Sequence, residues 1–185
     1  IRDWLVTGVQ TCALPICFNG KGGAHIKTFQ KMPGARIVAL CDVDSQVLAR
    51  GAAALAKAGL KVATHTDYRK LLESPDVDAV VIATPNHWHA LMAIWACQAG
   101  KDVYVEKPVS HNVWEGRKIV EAARKYGRIV QTGTQSRSDT ALQEAFATLR
   151  SGAYGKIQWA RGLCYKPRPS IGQSSGPQPG SEEHT

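Results

Sequence analysis

The chain reads as an α/β protein built on a doubly wound parallel sheet, followed by the start of a second, truncated α+β domain. Three observations carry that reading. Short apolar runs rich in Val and Ile, such as "RIVAL" from Arg36 and "AVVIA" from Ala79, are too short for buried helices and suit strands covered on both faces. Segments of helical period alternate with these runs. The connections between them are short, so successive strands are joined by right-handed crossovers and lie parallel.

The elements follow in order. A glycine-rich turn, "CFNGKGGAH", leads into a helix from Gly22 to about Lys31. "RIVALCDVD", Arg36 to Asp44, is a buried strand ending in acid, and an Ala- and Leu-rich helix runs from it through Lys57. "DAVVIATP", Asp78 to Pro85, is the next strand; "HWHALMAIWACQAG" is a helix closed by Gly100. "DVYVEKP" is a strand, "NVWEGRKIVEAARKYG" a helix closed by Gly127, and "RIVQTGT" a further strand. No internal repeat is present.

Composition narrows the function classes. The chain has 185 residues, enough for one ordinary core and part of a second. It is 44% hydrophobic and 21% charged, and no apolar run approaches the ~18 residues of a membrane span, so no membrane partner is expected. Lys and Arg number 23 against 15 Asp and Glu, but they are scattered over amphipathic helices without interleaved aromatics, which describes a solvated surface and not a nucleic-acid interface. Five cysteines without a paired framework exclude a disulfide scaffold. Cys41, Cys97 and Cys164 sit in apolar settings and read as small core residues.

In an open parallel sheet, ligands bind beyond the carboxyl ends of the strands, where the strand order reverses. The segments at those ends are Asn19 to Gly22, Asp42, Thr84 to Asn86, Glu106 to Pro108 and Gly133 to Gln135, all polar and turn-like. Gly22 opens a helix whose N–H groups and dipole favour a pyrophosphate. Asp42 follows it at the end of the next strand, at the spacing where a carboxylate accepts the hydroxyl hydrogens of an adenosine ribose. Val43 and Asp44, not an arginine, come after Asp42, which favours NAD over NADP. By itself each of these residues has a plainer reading: Asp42 as a turn or capping residue, Lys107 as an exposed lysine at a strand end. His87 and His89, two apart on a helix, share no face and make poor zinc geometry; no metal site is expected.

Taken together, the glycine loop with His25 three residues beyond Gly22, "CDVD", "TPNHWH" and above all "EKP" resemble the family of glucose-fructose oxidoreductase, inositol dehydrogenase and the rhizopine-catabolism protein (Gfo/Idh/MocA), largely bacterial enzymes, from about Phe18 to Pro179. The resemblance implies a Rossmann nucleotide-binding domain over residues 17–152, then a domain with a large open antiparallel sheet, of which residues 153–180 would be the beginning. "KIQWARG" is similar to that domain's first strand. It further implies cofactor contacts at Phe18, Asn19, Gly20, Gly22, Asp42, Thr84, Pro85, Asn86, His89, Glu106 and Lys107, with Lys107 also touching the substrate as the catalytic lysine. The activity implied is hydride transfer between NAD, less readily NADP, and a sugar, polyol or related compound. A homo-oligomeric parent enzyme is implied as well; composition suits a cytoplasmic enzyme, although some similar family members carry an export signal, which would have preceded the first residue of this chain. Two further activities occur among such proteins: NAD-dependent glycosidases, and nucleotide binding without catalysis.

The ends of the chain depart from that family. In the register set by Gly22, Cys17 and Asn19 replace the first two glycines of a GxGxxG loop, and Pro15 falls where a central strand needs each backbone N–H. "VTGVQTCALPI" matches the in-frame reading of a sequencing-library adapter, "IRD" matches its preceding bases, and "SEEHT" matches the complementary adapter. Residues 1–16 and 181–185 are therefore expected to be non-native, with the first native strand lost. The adapter's terminal T, replacing the first base of a glycine codon, yields the cysteine found at 17. On this reading the 185-residue chain is a fragment and is itself expected to be inactive.

Overall fold

The computed structural model describes residues 11–16 by their backbone and residues 20–163 in full. Cys17, Phe18, Asn19 and Cys164 lie outside the described residues. Seven strands form one parallel sheet: β1 (Thr11–Ile16), β2 (Ala35–Ile37), β3 (Ala39–Cys41), β4 (Ala63–His65), β5 (Ala79–Ile82), β6 (Asp102–Glu106) and β7 (Val130–Gly133). The order is β4-β3-β1-β5-β6-β7, with β2 also pairing β1. Between them run α1 (Lys21–Phe29), α2 (Ser45–Lys57), α3 (Tyr68–Leu72), α4 (Asn86–Gln98) and α5 (Val113–Tyr126). The doubly wound parallel sheet expected from the sequence is the fold observed.

Burial explains the strand assignments. All four residues of β5 are buried, as a strand covered on both faces requires. Side chains of β3 alternate between two cores: Leu40 packs with Ile37, Val47, Leu48 and Leu55, whereas Ala39 and Cys41 join Val80, Ile82, Val103 and Val105. Ile26 and Phe29 of α1 cover the first core; α3, α4 and α5 cover the second. Burying one such Leu or Ile contributes about 2 kcal/mol, so these two layers supply the driving force for the fold.

Helix ends follow local chemistry. Asp44 accepts hydrogen bonds from the N–H groups of Gln46 and Val47 to start α2, and Asn112 accepts from Glu115 N–H to start α5. Glu115 answers by accepting from the N–H of His111 and the side-chain amide of Asn112. Gly127, at φ 61°, closes α5 in the left-handed conformation that glycine adopts at least cost.

Three features differ from the sequence reading. The strand expected from Arg36 is split at Val38, because the register advances by one residue between Ala13↔Ile37 and Ile16↔Cys41. That interruption lies opposite Leu14 and Pro15, so the ladder on this side is already broken where the proline lacks an N–H. The strand at Thr11–Ile16 therefore occupies the centre of the sheet despite Pro15, pairing β5 from Ala13↔Ala79 to Ile16↔Ile82. β4 and α3 carry no apolar run of their own and were not anticipated; β4 has two exposed residues and is fixed by its pairing to β3.

The described residues from Thr134 onward belong to a second unit. It contains α6 (Thr140–Arg150), capped by Asp139 accepting from Leu142 N–H, and no residue of α6 is buried. The strand expected at "KIQWARG" does not form: residues 156–163 have no regular structure. A strand exists only when another pairs with it, and none does among the described residues. No helix among them is long and apolar enough to cross a membrane.

Two predictions follow from packing. Tyr68 is buried and its hydroxyl donates to the Met92 carbonyl at 3.0 Å. Burial, with the neighbouring Cys41 and Cys97 adding to it, holds the phenol well above its ordinary value. The folded state thus favours the neutral phenol, so its contribution is complete below about pH 10 and is lost as pH rises beyond the unfolded value. Tyr68→Phe should cost about 1 kcal/mol at neutral pH and flatten the fall of the urea midpoint at alkaline pH; an unchanged alkaline slope would refute the assignment.

At Gly133 a Cβ would lie 2.6 Å from the Tyr104 hydroxyl and 3.0 Å from the ring carbon bearing it. Gly133→Ala should therefore destabilise the fold by about 1–3 kcal/mol. Adding Tyr104→Phe should recover part of that loss, since the shortest of the three Tyr104 contacts is removed. Additive effects in the double variant would show that the two residues do not collide.

Candidate functional site

The strand order reverses between β1 and β5, and the residues expected to bind a ligand gather at the carboxyl edge on both sides of that point. Asp42 directly follows β3; Thr84 and Pro85 connect β5 to α4, whose first residue is Asn86; Glu106 ends β6 and is followed by Lys107 and Pro108. Glu106 pairs in register with Gly133, the last residue of β7.

Burial singles out three of these residues. Among the described residues the buried polar or charged side chains are Asp42, His89 and Glu106, at 5%, 1% and 5% exposure. Each such group costs free energy to desolvate unless partners replace the water, and a hydrophobic residue would have served the core without that penalty. All three belong to the carboxyl edge. Asp42 Oδ1 accepts from the N–H of Asp44 at 3.1 Å.

His89 holds two loops together. Its Nδ1 lies 2.6 Å from the Pro108 carbonyl oxygen and its Nε2 lies 2.8 Å from the Thr84 carbonyl oxygen. Both carbonyls only accept, so a neutral ring donates to one and a doubly protonated ring donates to both. The sequence reading set His89 against a cofactor. In the structure both ring nitrogens are committed to backbone, and His89 acts on the site by bracing the segments that carry Thr84 and Lys107.

Glu106 is likewise turned inward, through a partner that sequence reasoning missed. His25 Nε2–H donates to Glu106 Oε1 at 2.9 Å, and Glu106 Oε2 accepts from the N–H of Lys107 at 3.3 Å. The His25 ring also meets the edge of Tyr104, with centroids 5.2 Å apart and planes at 71°. Burial, reinforced by the charge of Glu106, pushes the Tyr104 phenol upward, so it stays a neutral hydroxyl at physiological pH. The signal for His25 was its place one helical turn beyond Gly22; the partner, 81 residues away in sequence, left no local trace.

Several groups stand ready for a nucleotide. α1 begins at Gly20, whose φ of 140° is open to glycine and strained for other residues, and α4 begins at Pro85; neither residue has a side chain able to cap its helix. The other four helices are capped by Asp or Asn. Two uncapped helix N-termini flanking the switch point leave N–H donors for an anionic ligand. The Thr84 hydroxyl oxygen is buried without a hydrogen-bond partner, an unsatisfied group that a ligand would complete. Lys107 is exposed at the same edge. Phe18 and Asn19 fall outside the described residues. These donors and acceptors fit a dinucleotide: uncapped N–H groups for its phosphates, a buried carboxylate beyond β3 for its ribose, and an orphaned hydroxyl beyond β5. No group of three His, Cys, Asp or Glu side chains able to hold a metal occurs among the described residues.

Comparison with known proteins agrees with this geometry. The chain is 36% identical over 136 residues to inositol 2-dehydrogenase 1 of Saccharopolyspora erythraea, covering 72% of this chain and 40% of that protein. It is 39% identical over 110 residues to a glycosyl hydrolase family 109 protein of Shewanella pealeana, covering 57% of this chain and 24% of that protein. Its fold superimposes on the WlbA dehydrogenase of Bordetella pertussis, solved in complex with NADH and UDP-GlcNAcA, with a TM-score of 0.72 and 25% identity over 82% of this chain and 43% of that one. The chain thus spans less than half the length of these relatives. The model of an oxidoreductase family with an NAD-binding Rossmann fold matches residues 17–134, and the chain belongs to that family, Gfo/Idh/MocA.

Proposed function

We propose that this chain is the nucleotide-binding part of an oxidoreductase that moves a hydride between NAD and a hydroxyl-bearing carbon of a sugar, polyol or related small molecule. The observation that carries the reading is the convergence of Asp42, Thr84, Glu106 and Lys107 at the carboxyl edge of a parallel sheet, with a buried hydroxyl at Thr84 that lacks a protein partner. When bound, NAD supplies the hydride acceptor at its nicotinamide ring.

The chain's own residues bind and orient. The Phe18 to Gly22 loop and the start of α1 receive the pyrophosphate, with Phe18, Asn19, Gly20 and Gly22 lining it. Asp42 accepts the ribose hydroxyls, and Val43 and Asp44 beside it disfavour the extra phosphate of NADP. Thr84, Pro85 and Asn86 would also contact the cofactor, with the orphaned Thr84 hydroxyl free to bond it. Lys107 directs its ammonium group to the substrate hydroxyl and stabilises negative charge developing on that oxygen. The inositol 2-dehydrogenase relative supports a polyol as substrate.

A second reading is supported by the family 109 glycosyl hydrolase relative. There the same nucleotide site would serve a transient oxidation followed by reduction, with net hydrolysis. The two readings differ in one observable: NADH accumulates during turnover in the first and does not in the second.

Titration calorimetry of the purified chain with NAD and NADP tests the nucleotide reading. NAD should bind more tightly than NADP, and Asp42→Ala should weaken NAD by about tenfold, or ~1.4 kcal/mol, while leaving NADP nearly unchanged. Equal loss for both nucleotides would show that Asp42 does not meet the ribose. Absence of NAD binding by the unaltered, folded chain would overturn the proposal.

A further inference from the structure

We infer that His25 is a positioning residue for Lys107, an inference that rests on the nucleotide reading above. Lys107 sits between two anchored neighbours. On one side Glu106 is held at Oε1 by His25 Nε2–H, 2.9 Å away, and its Oε2 takes the Lys107 N–H itself at 3.3 Å. On the other side the Pro108 carbonyl lies 2.6 Å from His89 Nδ1. The lysine's backbone is thus fixed from both directions while its side chain remains exposed.

Of the two anchors, His25 is the one that reaches the nucleotide helix. It lies on α1 one turn beyond Gly22, and its ring meets both Tyr104 and Glu106 of β6, the strand next to β5 in the sheet. Tyr104 is packed in turn against Gly133, where no Cβ fits, so the surface against which the imidazole rests has little room to shift. A ligand that seats on the start of α1 is connected to Lys107 through two hydrogen bonds.

Stability alone does not account for this choice of residues. The side chains of His25 and Glu106 are 14% and 7% exposed, and a hydrogen-bonded polar pair at that depth is at best even with an apolar pair of the same volume. What the pair supplies is direction. It sets one rotamer of Glu106, and through Oε2 the path of the backbone at Lys107. Displacement of a reacting group by about 1 Å costs on the order of a hundredfold in rate, so a lysine at a substrate hydroxyl gains from such a brace.

The test uses the isotope-labelled full chain. Its readouts are the backbone amide resonance of Lys107 and the affinity for NAD in the unaltered protein, His25→Leu and His25→Gln. Leucine removes the donor, whereas glutamine keeps an N–H near the position of Nε2. His25→Leu should move the Lys107 amide resonance and weaken NAD roughly tenfold, within the usual range of coupling between sites. His25→Gln should restore both towards the unaltered values. A Lys107 amide left in place by His25→Leu would overturn the inference, as would a His25→Gln variant that behaves like leucine.

Should His25→Leu fail to fold, the unaltered chain carries the test. The Nε2 resonance of His25 and the amide of Lys107 should then shift along one NAD titration with a common midpoint; a Lys107 amide that titrates while His25 stays still would overturn the inference. Failure of the unaltered chain to bind NAD would instead overturn the proposed function. Where the leucine variant folds, comparing the Lys107 amide between it and the unaltered protein decides the role of His25 even without NAD binding.

Discussion

All strands of this sheet run parallel, and the rest of the molecule follows from that constraint. Parallel neighbours cannot be joined by tight turns, so each connection crosses over a face of the sheet and brings a helix with it. The faces are then covered and the strand interiors must be apolar, as the wholly buried β5 shows. Polar chemistry is driven to the edges. At the carboxyl edge it also meets the N-termini of the crossover helices, which supply unpaired N–H donors. Between β1 and β5, where successive connections depart to opposite sides, no crossover closes the gap. The candidate site lies there because the topology puts the buried polar groups of the described residues at that edge.

That logic explains which parts of the fold could be read from the sequence. β5, β6, α4 and α5 announce themselves because each is specified by its own residues: an apolar run, an N-cap such as Asn112, a closing glycine such as Gly127. β4 was not legible because "ATH" is half polar and becomes a strand only through its partner β3. The split at Val38 arises from a change of register against β1, a property of two segments together. The same holds in reverse at "KIQWARG", where the family resemblance implied a strand: Ile157 and Trp159 are exposed, and among the described residues no partner pairs with the segment.

The site was legible to the same extent. Asp42, Thr84 and the Glu106–Lys107–Pro108 run could be placed because their position at strand ends follows from counting along each strand. Their partnerships could not. The bond from His25 to Glu106 spans 81 residues, and that from His89 to Pro108 depends on how α4 lies against β6. The consequence is a change of role. Glu106 and His89, for which the family resemblance implies cofactor contacts, direct their carboxylate oxygens and ring nitrogens to protein partners, and Lys107 keeps its side chain exposed.

Two imidazoles therefore do related work on one loop, through Glu106 and through Pro108. His89 is almost fully enclosed and ties the β6 loop to the β5 loop through carbonyls, so it fixes backbone to backbone. His25 ties the nucleotide helix to a carboxylate, so it fixes a side chain whose second oxygen then fixes backbone. A loop held only by its own turns would sample several paths, and a lysine carried on it would lose more entropy on meeting a ligand. Anchoring Glu106 and Pro108 separately removes that freedom before any ligand arrives, and leaves the lysine's four-carbon stem as the part that moves. The expense of burying Glu106 and His89, with His25 half-buried beside them, is in this way converted into order at the residue between the two anchors.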